Sequence, residues 1–97
     1  MNLVYDWDRS VIDMKSVEEV MEDFEFSIRI VDPAYADTIK RIQQIFENNE
    51  VLTDVFFYAF PHHEYRIVVR KDFYVDFILQ LFRHGLLTRL EWQKESS

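Results

Sequence analysis

Residues 51–71 read VLTDVFFYAFPHHEYRIVVRK, and this stretch decides the fold. Two runs rich in aromatic and β-branched residues flank a short polar break at residues 61–64. Such runs around a polar break predict a β-hairpin. A four-residue break would oppose three pairs of residues: Phe60 with Tyr65, Tyr58 with Ile67, and Phe56 with Val69. Because side chains alternate along a strand, these six are predicted to share one face and to form a wall of the core.

Two helices are predicted on either side of this hairpin. Asp32 can cap the first, and Pro33 suits the opening helical position, where a missing N–H has no partner in any case. Apolar side chains then recur at helical spacing: Tyr35, Ile39, Ile42 and Phe46. The second helix is predicted over residues 73–84, between a capping Asp72 and Gly85, the only glycine of the chain.

Two further strands complete the pattern. Residues 25–31 alternate apolar and polar side chains, and residues 86–92 (LLTRLEW) follow the second helix. Residues 25–92 therefore read strand, helix, strand, strand, helix, strand. This order resembles the split βαβ, or ferredoxin-like, arrangement, which implies an α+β fold with a four-stranded antiparallel sheet and both helices on one face. Right-handed crossovers would order the strands 4-1-3-2, with residues 51–60 at an edge.

The chain is expected to be one domain, since it has 97 residues. Within residues 1–97 the α+β core is predicted to span 25–92. Residues 1–24 are interpreted as an acidic arm followed by a short helix, because the sequence Ser-Val-Glu-Glu at 16–19 fits a capping box. Residues 93–97 (QKESS) are expected to form a frayed tail.

The net charge of −7 is concentrated near the N-terminus. Residues 1–25 contain eight acidic and two basic residues, whereas the rest of the chain contains ten and nine. An acidic balance argues against general nucleic-acid binding, which needs cations to displace counterions from phosphates. The chain has no cysteine and no apolar run near the ~18 residues of a membrane span. We therefore expect a cytoplasmic protein that does not enter the membrane.

The sheet face opposite the helices is predicted to mix arginines with apolar residues: Arg29, Val55, Phe57, Ala59, Arg66, Val68, Arg70, Leu87 and Arg89. Four interpretations stay open. The face could be solvated, with ion pairs to Glu25 and Glu91, or the acidic arm could fold over it. It could also be a protein contact surface or a stacking platform for single-stranded nucleic acid, although only Phe57 is an aromatic placed for stacking.

Protein contact is the interpretation that we carry forward, because interfaces are enriched in arginine and aromatic residues. The predicted contact residues are Val55, Phe57, Arg66, Val68 and Arg70. The edge strand at 51–60 carries Asp54 as its only charge, and natural edges are normally blunted by charge, proline or covering. A homodimer formed through this edge, or through the apolar surface of helix 73–84, is therefore predicted, unless residues 1–15 cover the edge.

Candidate chemistry is sparse. His62, His63 and Glu64 lie in a turn, where adjacent side chains diverge, so we predict no metal site there. Asp6 and Asp8 offer only two carboxylates for a cation. His84 is expected to cap a helix C-terminus. One glycine cannot build a phosphate-binding loop, and we predict no catalytic residues and no cofactor.

These patterns predict a non-catalytic protein that acts by protein–protein interaction, as a homodimer with a regulatory role. One alternative is a small-molecule-sensing regulatory domain of the ferredoxin-like type, which is an analogy from the fold alone. Another is an inhibitor whose acidic N-terminal quarter mimics nucleic acid toward a basic partner.

Overall fold

The computed structural model describes residues 2–48 and 54–93. These contain six strands and two α-helices, in the order β1 (Asn2–Asp6), β2 (Ile12–Val20), β3 (Asp23–Ile30), α1 (Thr38–Glu47), β4 (Val55–Phe60), β5 (Glu64–Arg70), α2 (Tyr74–Arg83) and β6 (Arg89–Gln93). Short 3-10 turns at Pro33–Tyr35 and Lys71–Phe73 lead into the helices. Four strands form an antiparallel sheet in the order β2-β3-β5-β4, and β1 pairs with β6 in a separate sheet.

The predicted α+β class, with two helices and a four-stranded antiparallel sheet, is confirmed. Both helices contribute to one core with the inward side chains of the sheet; its fully buried members include Phe26, Ile28, Ile39, Ile42, Ile67, Val69, Phe77, Ile78 and Leu81. Phe77 lies at its centre, with its ring centroid 4.9 Å from that of Phe26 and 6.2 Å from those of Phe46 and Phe57. Burial of each such side chain contributes about 1.5–3 kcal/mol before chain entropy is counted.

The helix ends follow the predicted signals in part. Asp32 accepts a hydrogen bond from the Ala34 amide at 3.0 Å, but it caps the 3-10 turn that precedes α1. After α2, Gly85 takes a φ of 80°, and the Leu86 amide donates to the Leu81 carbonyl at 3.0 Å. This is the glycine-terminated helix end known as a Schellman motif. It turns the chain inward, so that Leu87, predicted on the open face, is buried instead.

The predicted short helix at residues 16–24 is wrong. Residues 12–20 form β2 and pair with β3 across a two-residue turn. The Ser-Val-Glu-Glu sequence satisfies a helix cap, worth about 1 kcal/mol. The strand gains more, because it buries Ile12 and Met14 and places Val17 opposite Phe26. Tertiary pairing therefore overrides the local cap signal.

The split βαβ strand order is wrong at one position. β2 occupies the edge beside β3 that was predicted for the last strand, and β6 pairs with β1 instead. A two-residue turn closes the β2–β3 hairpin at little entropic cost, whereas the last strand would return from the far end of α2. The predicted frayed tail lies outside the described residues, apart from Gln93, which ends β6.

The hairpin of β4 and β5 forms, but one residue away from the predicted register. The loop has three residues, Pro61, His62 and His63, and the two histidines have φ values of 65° and 59°. Histidine enters this left-handed region more readily than most residues. In the hairpin, three pairs lie on the inner face: Val55 with Val69, Phe57 with Ile67, and Ala59 with Tyr65. The other three pairs lie on the open face: Phe56 with Val68, Tyr58 with Arg66, and Phe60 with Glu64. A shift of one residue turns every β4 side chain to the opposite face.

The small sheet of β1 and β6 is attached to α2 through two tyrosines. The Tyr5 and Tyr74 hydroxyls are hydrogen-bonded to each other, and Tyr5 packs on the core. Burial raises the pKa of Tyr5, and the neighbouring Tyr74 raises it further. Burial likewise raises the pKa of Tyr74. Both hydroxyls are thus held neutral by the fold.

Stability should therefore fall as the pH rises above the ordinary tyrosine pKa of 10.0. In that range the unfolded chain releases both protons while the folded chain keeps them, so alkali favours unfolding. The double variant Tyr5→Phe/Tyr74→Phe should lose less free energy of unfolding between about pH 9 and pH 11 than the unmodified chain. Urea unfolding at several pH values measures this, and equal pH slopes in the two proteins would contradict it.

Candidate protein-contact surface

The sheet face that the helices leave open carries three aromatic side chains of β4. Phe56, Tyr58 and Phe60 are 52%, 51% and 51% exposed, and we call these three residues the aromatic stripe. Their neighbours on β5, in the same order, are Val68, Arg66 and Glu64. The stripe forms the outermost row of the sheet, because β4 is an edge strand.

Two of the five predicted contact residues do not lie on this face. Val55 is 7% exposed within the core, and Phe57 packs against Phe77 beneath the helices. The one-residue shift of the hairpin turns both inward, so their predicted placement on the open face is wrong. Ala59 follows them to the inner face, opposite Tyr65.

Of the other three, Arg66 and Val68 lie beside the aromatic stripe, whereas Arg70 is held at the end of the sheet. The Arg70 guanidinium donates to Asp54 Oδ2 at 2.7 Å and lies 3.6 Å from Glu22 Oε2. These carboxylates, Asp54 above all, raise the pKa of Arg70. Arg66 is exposed, and it forms no ion pair within 4.0 Å among residues 2–48 and 54–93.

The half of the open face formed by β2 and β3 is rich in charged side chains. Lys15 reaches across β3 to Glu64, with Nζ 2.5 Å from Oε1, and its ammonium holds the pKa of Glu64 below the usual range. Farther along these two strands, Glu18 of β2 lies directly opposite Glu25 of β3. The aromatic rings and Arg66 therefore lie along β4 and β5, whereas β2 and β3 carry charged side chains of both signs, Glu18 and Glu25 with Lys15 and Arg29.

The acidic arm does not cover the aromatic stripe. β1 pairs with β6, and β2 lies at the other edge of the sheet. Arg89, which was predicted on the open face, belongs to β6 and pairs with Asp6 at 3.2 Å and with Glu91. The stripe is left half-exposed.

The two edges of the sheet differ in a way that bears on binding. β2 carries four charged residues, Asp13, Lys15, Glu18 and Glu19, and a bulge between Met14 and Ser16 interrupts its register. Charges and bulges are the devices with which natural sheets block an edge. β4 has no charged residue and no shift of register along Val55–Phe60. Of the two edges of the four-stranded sheet, as far as residues 2–48 and 54–93 describe it, the β4 edge is therefore the one suited to accept another strand.

The free backbone groups of β4 can be identified from its pairing. The Arg70 amide donates to the Asp54 carbonyl at 3.0 Å, which makes these two residues a hydrogen-bonded pair. Such pairs alternate along an antiparallel ladder, so Phe56, Tyr58 and Phe60 also bond to β5. The N–H and C=O groups of Val55, Phe57 and Ala59 then point away from β5, toward the open edge.

The other candidate residues have structural roles. Asp8 accepts hydrogen bonds from the amide and the hydroxyl of Ser10, which lower the pKa of Asp8. His84 Nδ1 lies 2.9 Å from the Gln80 carbonyl oxygen, as expected of a helix C-terminus. His62 and His63 are exposed in their loop. Within the described ranges no cluster of three or more His, Asp or Glu side chains is arranged to hold a metal ion.

The fold and this surface define a small α+β protein whose main sheet has one open face and an uncharged edge at β4. No family model matches the chain, and no match is found among curated proteins or solved structures. In the part of the chain that the structure describes, no helix is long and apolar enough to cross a membrane.

Proposed function

We propose that this chain is a non-catalytic cytoplasmic protein that acts through protein–protein contact, with the aromatic stripe, Arg66 and Val68 as the contact surface. The observation that carries the proposal is the row of three half-exposed aromatic rings on an edge strand that has free backbone groups. Aromatic residues and arginine are the side chains most enriched at energetically important contacts. A regulatory role would follow if the contact controls the activity of the partner.

The size of the surface supports a specific contact that uses the backbone as well. An aromatic side chain presents about 150–250 Å², so half-exposure leaves about 100 Å² per ring to be buried. At about 25 cal/mol per Å², the three rings together contribute about 7.5 kcal/mol. Association costs about 4–15 kcal/mol, so the rings alone give weak binding. Strand pairing at the edge would supply the remaining stabilisation.

A photo-crosslinking amino acid in place of Tyr58 tests the proposal in the cells that make the protein. We expect a crosslinked protein product, either with this chain or with another, that decreases strongly when Phe56→Ser and Phe60→Ser are added. The matched control places the same crosslinker at Phe82, a 43% exposed aromatic residue on α2. If position 58 gave no more crosslinked protein than position 82, the contact surface would be wrongly assigned.

A small-molecule-sensing role is the second candidate, and one groove favours it. Met21, Glu22, Asp23, Asp54, Phe56 and Arg70 line an open groove of about 480 Å³ at the end of the sheet. Its volume falls within the range of ligand sites. A thermal-shift screen with amino acids and nucleotides tests this role, because a ligand that binds the native state must raise the melting temperature.

A further inference from the structure

We propose that the partner of the aromatic stripe is a second copy of this chain, joined β4 to β4 in an antiparallel register centred on Tyr58. This inference rests on the proposed function, because it names the partner of the same surface. A two-fold axis through the edge would continue the sheet from one copy into the other and would place both stripes on the same face.

The free backbone groups restrict how two β4 strands can pair. In an antiparallel pair the outward-pointing groups of one strand must meet those of the other. The N–H and C=O groups that point to the open edge belong to Val55, Phe57 and Ala59. Odd-numbered residues must therefore oppose odd-numbered residues, so the two-fold axis passes through a residue and never between two residues.

The side chains select Tyr58 as that residue. On the open face the axis would pair Tyr58 with its own counterpart and Phe56 with Phe60 of the second copy, since the stripe reads the same in both directions. On the inner face the large Phe57 would meet the small Ala59, which is exposed at the edge and leaves room for a ring. These opposed pairs have Cβ atoms about 4.5–5.5 Å apart, close enough for their rings to pack.

The neighbouring registers fit less well. A two-fold axis at Phe57 would bring the Phe57 rings of the two copies against each other. It would also set Phe60 opposite Asp54 of the second copy. An axis at Phe56 would set Tyr58 opposite Asp54. That carboxylate is already bound to Arg70, and burying it against an aromatic ring would be unfavourable. Only with the axis at Tyr58 does every residue of the aromatic stripe face an aromatic residue of the second copy.

The remaining features favour a closed pair of chains over a filament. The β2 edge carries charges and a bulge, so of the two edges of the main sheet only that of β4 is suited to pairing within the described residues. In the dimer, Glu25 of β3 and its counterpart would lie at least five strand spacings apart, about 24 Å. This separation is well beyond the screening length of about 8 Å at physiological salt, so the net charge of −7 on each chain is a weak obstacle.

Single-cysteine variants report the register, because the natural chain contains no cysteine. Opposed residues that do not exchange hydrogen bonds have Cα atoms about 4.5 Å apart, within the disulfide range of about 4.4–6.8 Å. Tyr58→Cys should therefore form a disulfide-linked dimer in a mild glutathione redox buffer. Phe56→Cys and Phe60→Cys should each fail to link to themselves, being about 13 Å from their counterparts. An equal mixture of these two variants should form the mixed disulfide.

Sedimentation of the unmodified chain provides the second measurement, with twice the 11.9 kDa mass of one chain expected. A monomer at high concentration, or self-linking of Phe56→Cys as fast as that of Tyr58→Cys, would overturn the inference. If the chain is a monomer but a crosslinker at position 58 captures a different protein, this inference fails and the proposed function stands. If a crosslinker at position 58 captures neither a second copy of this chain nor a different protein, both this inference and the proposed function fail.

Discussion

Phe77→Ala is expected to lower the free energy of unfolding by about 3–5 kcal/mol. Phe77 is fully buried, and its ring contacts three other rings, those of Phe26, Phe46 and Phe57. These four residues come from α2, β3, α1 and β4, so the cavity would open where four elements meet. Because several elements hold the walls apart, the cavity can close only in part, and the full cost of lost contacts is expected.

Urea unfolding measures this loss, with Phe82→Ala as the matched control on the same helix. Phe82 is 43% exposed, so its truncation should cost less than about 1 kcal/mol. A domain of this size has a total stability of about 5–15 kcal/mol, so Phe77→Ala could be largely unfolded without denaturant. Phe77→Leu, which keeps most of the volume, should then give a measurable loss of smaller size. Equal losses for Phe77→Ala and Phe82→Ala would show that the core is not centred on Phe77.

The helices could be predicted from the sequence because their signals are local. Ile39, Ile42 and Phe46 follow the helical period, and all three are buried. Gly85 ends α2 in the left-handed conformation that glycine favours. Each of these signals depends on neighbours within a few residues, and no competing interaction from a distant segment changes the result.

The N-terminal hairpin could not be predicted in the same way. Residues 12–20 carry a valid helix cap together with an alternation that suits a strand, and the sequence alone does not rank the two. The decision comes from β3, which buries Ile12 and Met14 against the core once the two strands pair. That pairing also occupies the edge predicted for β6, so residues 12–20 account both for the wrong short helix and for the wrong strand order.

The contact surface depended on the length of one loop. All six residues of β4, VFFYAF, are apolar, so their pattern is the same whichever face is buried. Only the turn fixes the register, and a three-residue loop instead of four exposes Phe56, Tyr58 and Phe60. β5 alternates polar and apolar residues, and for that reason Arg66 and Val68 were placed on the correct face. The sequence signal for the shorter loop is the pair His62 and His63, because histidine enters the left-handed region that both adopt more readily than most residues.

Ala59→Lys should weaken self-association at least 100-fold, which corresponds to about 2.7 kcal/mol. In the single chain, residue 59 is exposed at the edge, so a lysine can extend its ammonium group into water. In the proposed dimer the same position faces Phe57 of the second copy, where the ammonium would lose its hydration. An inward-pointing charge on an edge strand is also how natural sheets prevent this kind of pairing. The free energy of unfolding of the monomer should change by less than about 1 kcal/mol.

Ala34→Lys is the matched control, since Ala34 is also exposed and lies in the 3-10 turn before α1, outside β4. Each variant changes the net charge from −7 to −6 (−7 + 1 = −6), which on long-range repulsion alone would slightly favour self-association. A loss of association in Ala59→Lys that Ala34→Lys does not share can therefore arise only at the β4 edge. Sedimentation equilibrium gives both dissociation constants. If the two were equal, the edge of β4 would not be where the copies meet.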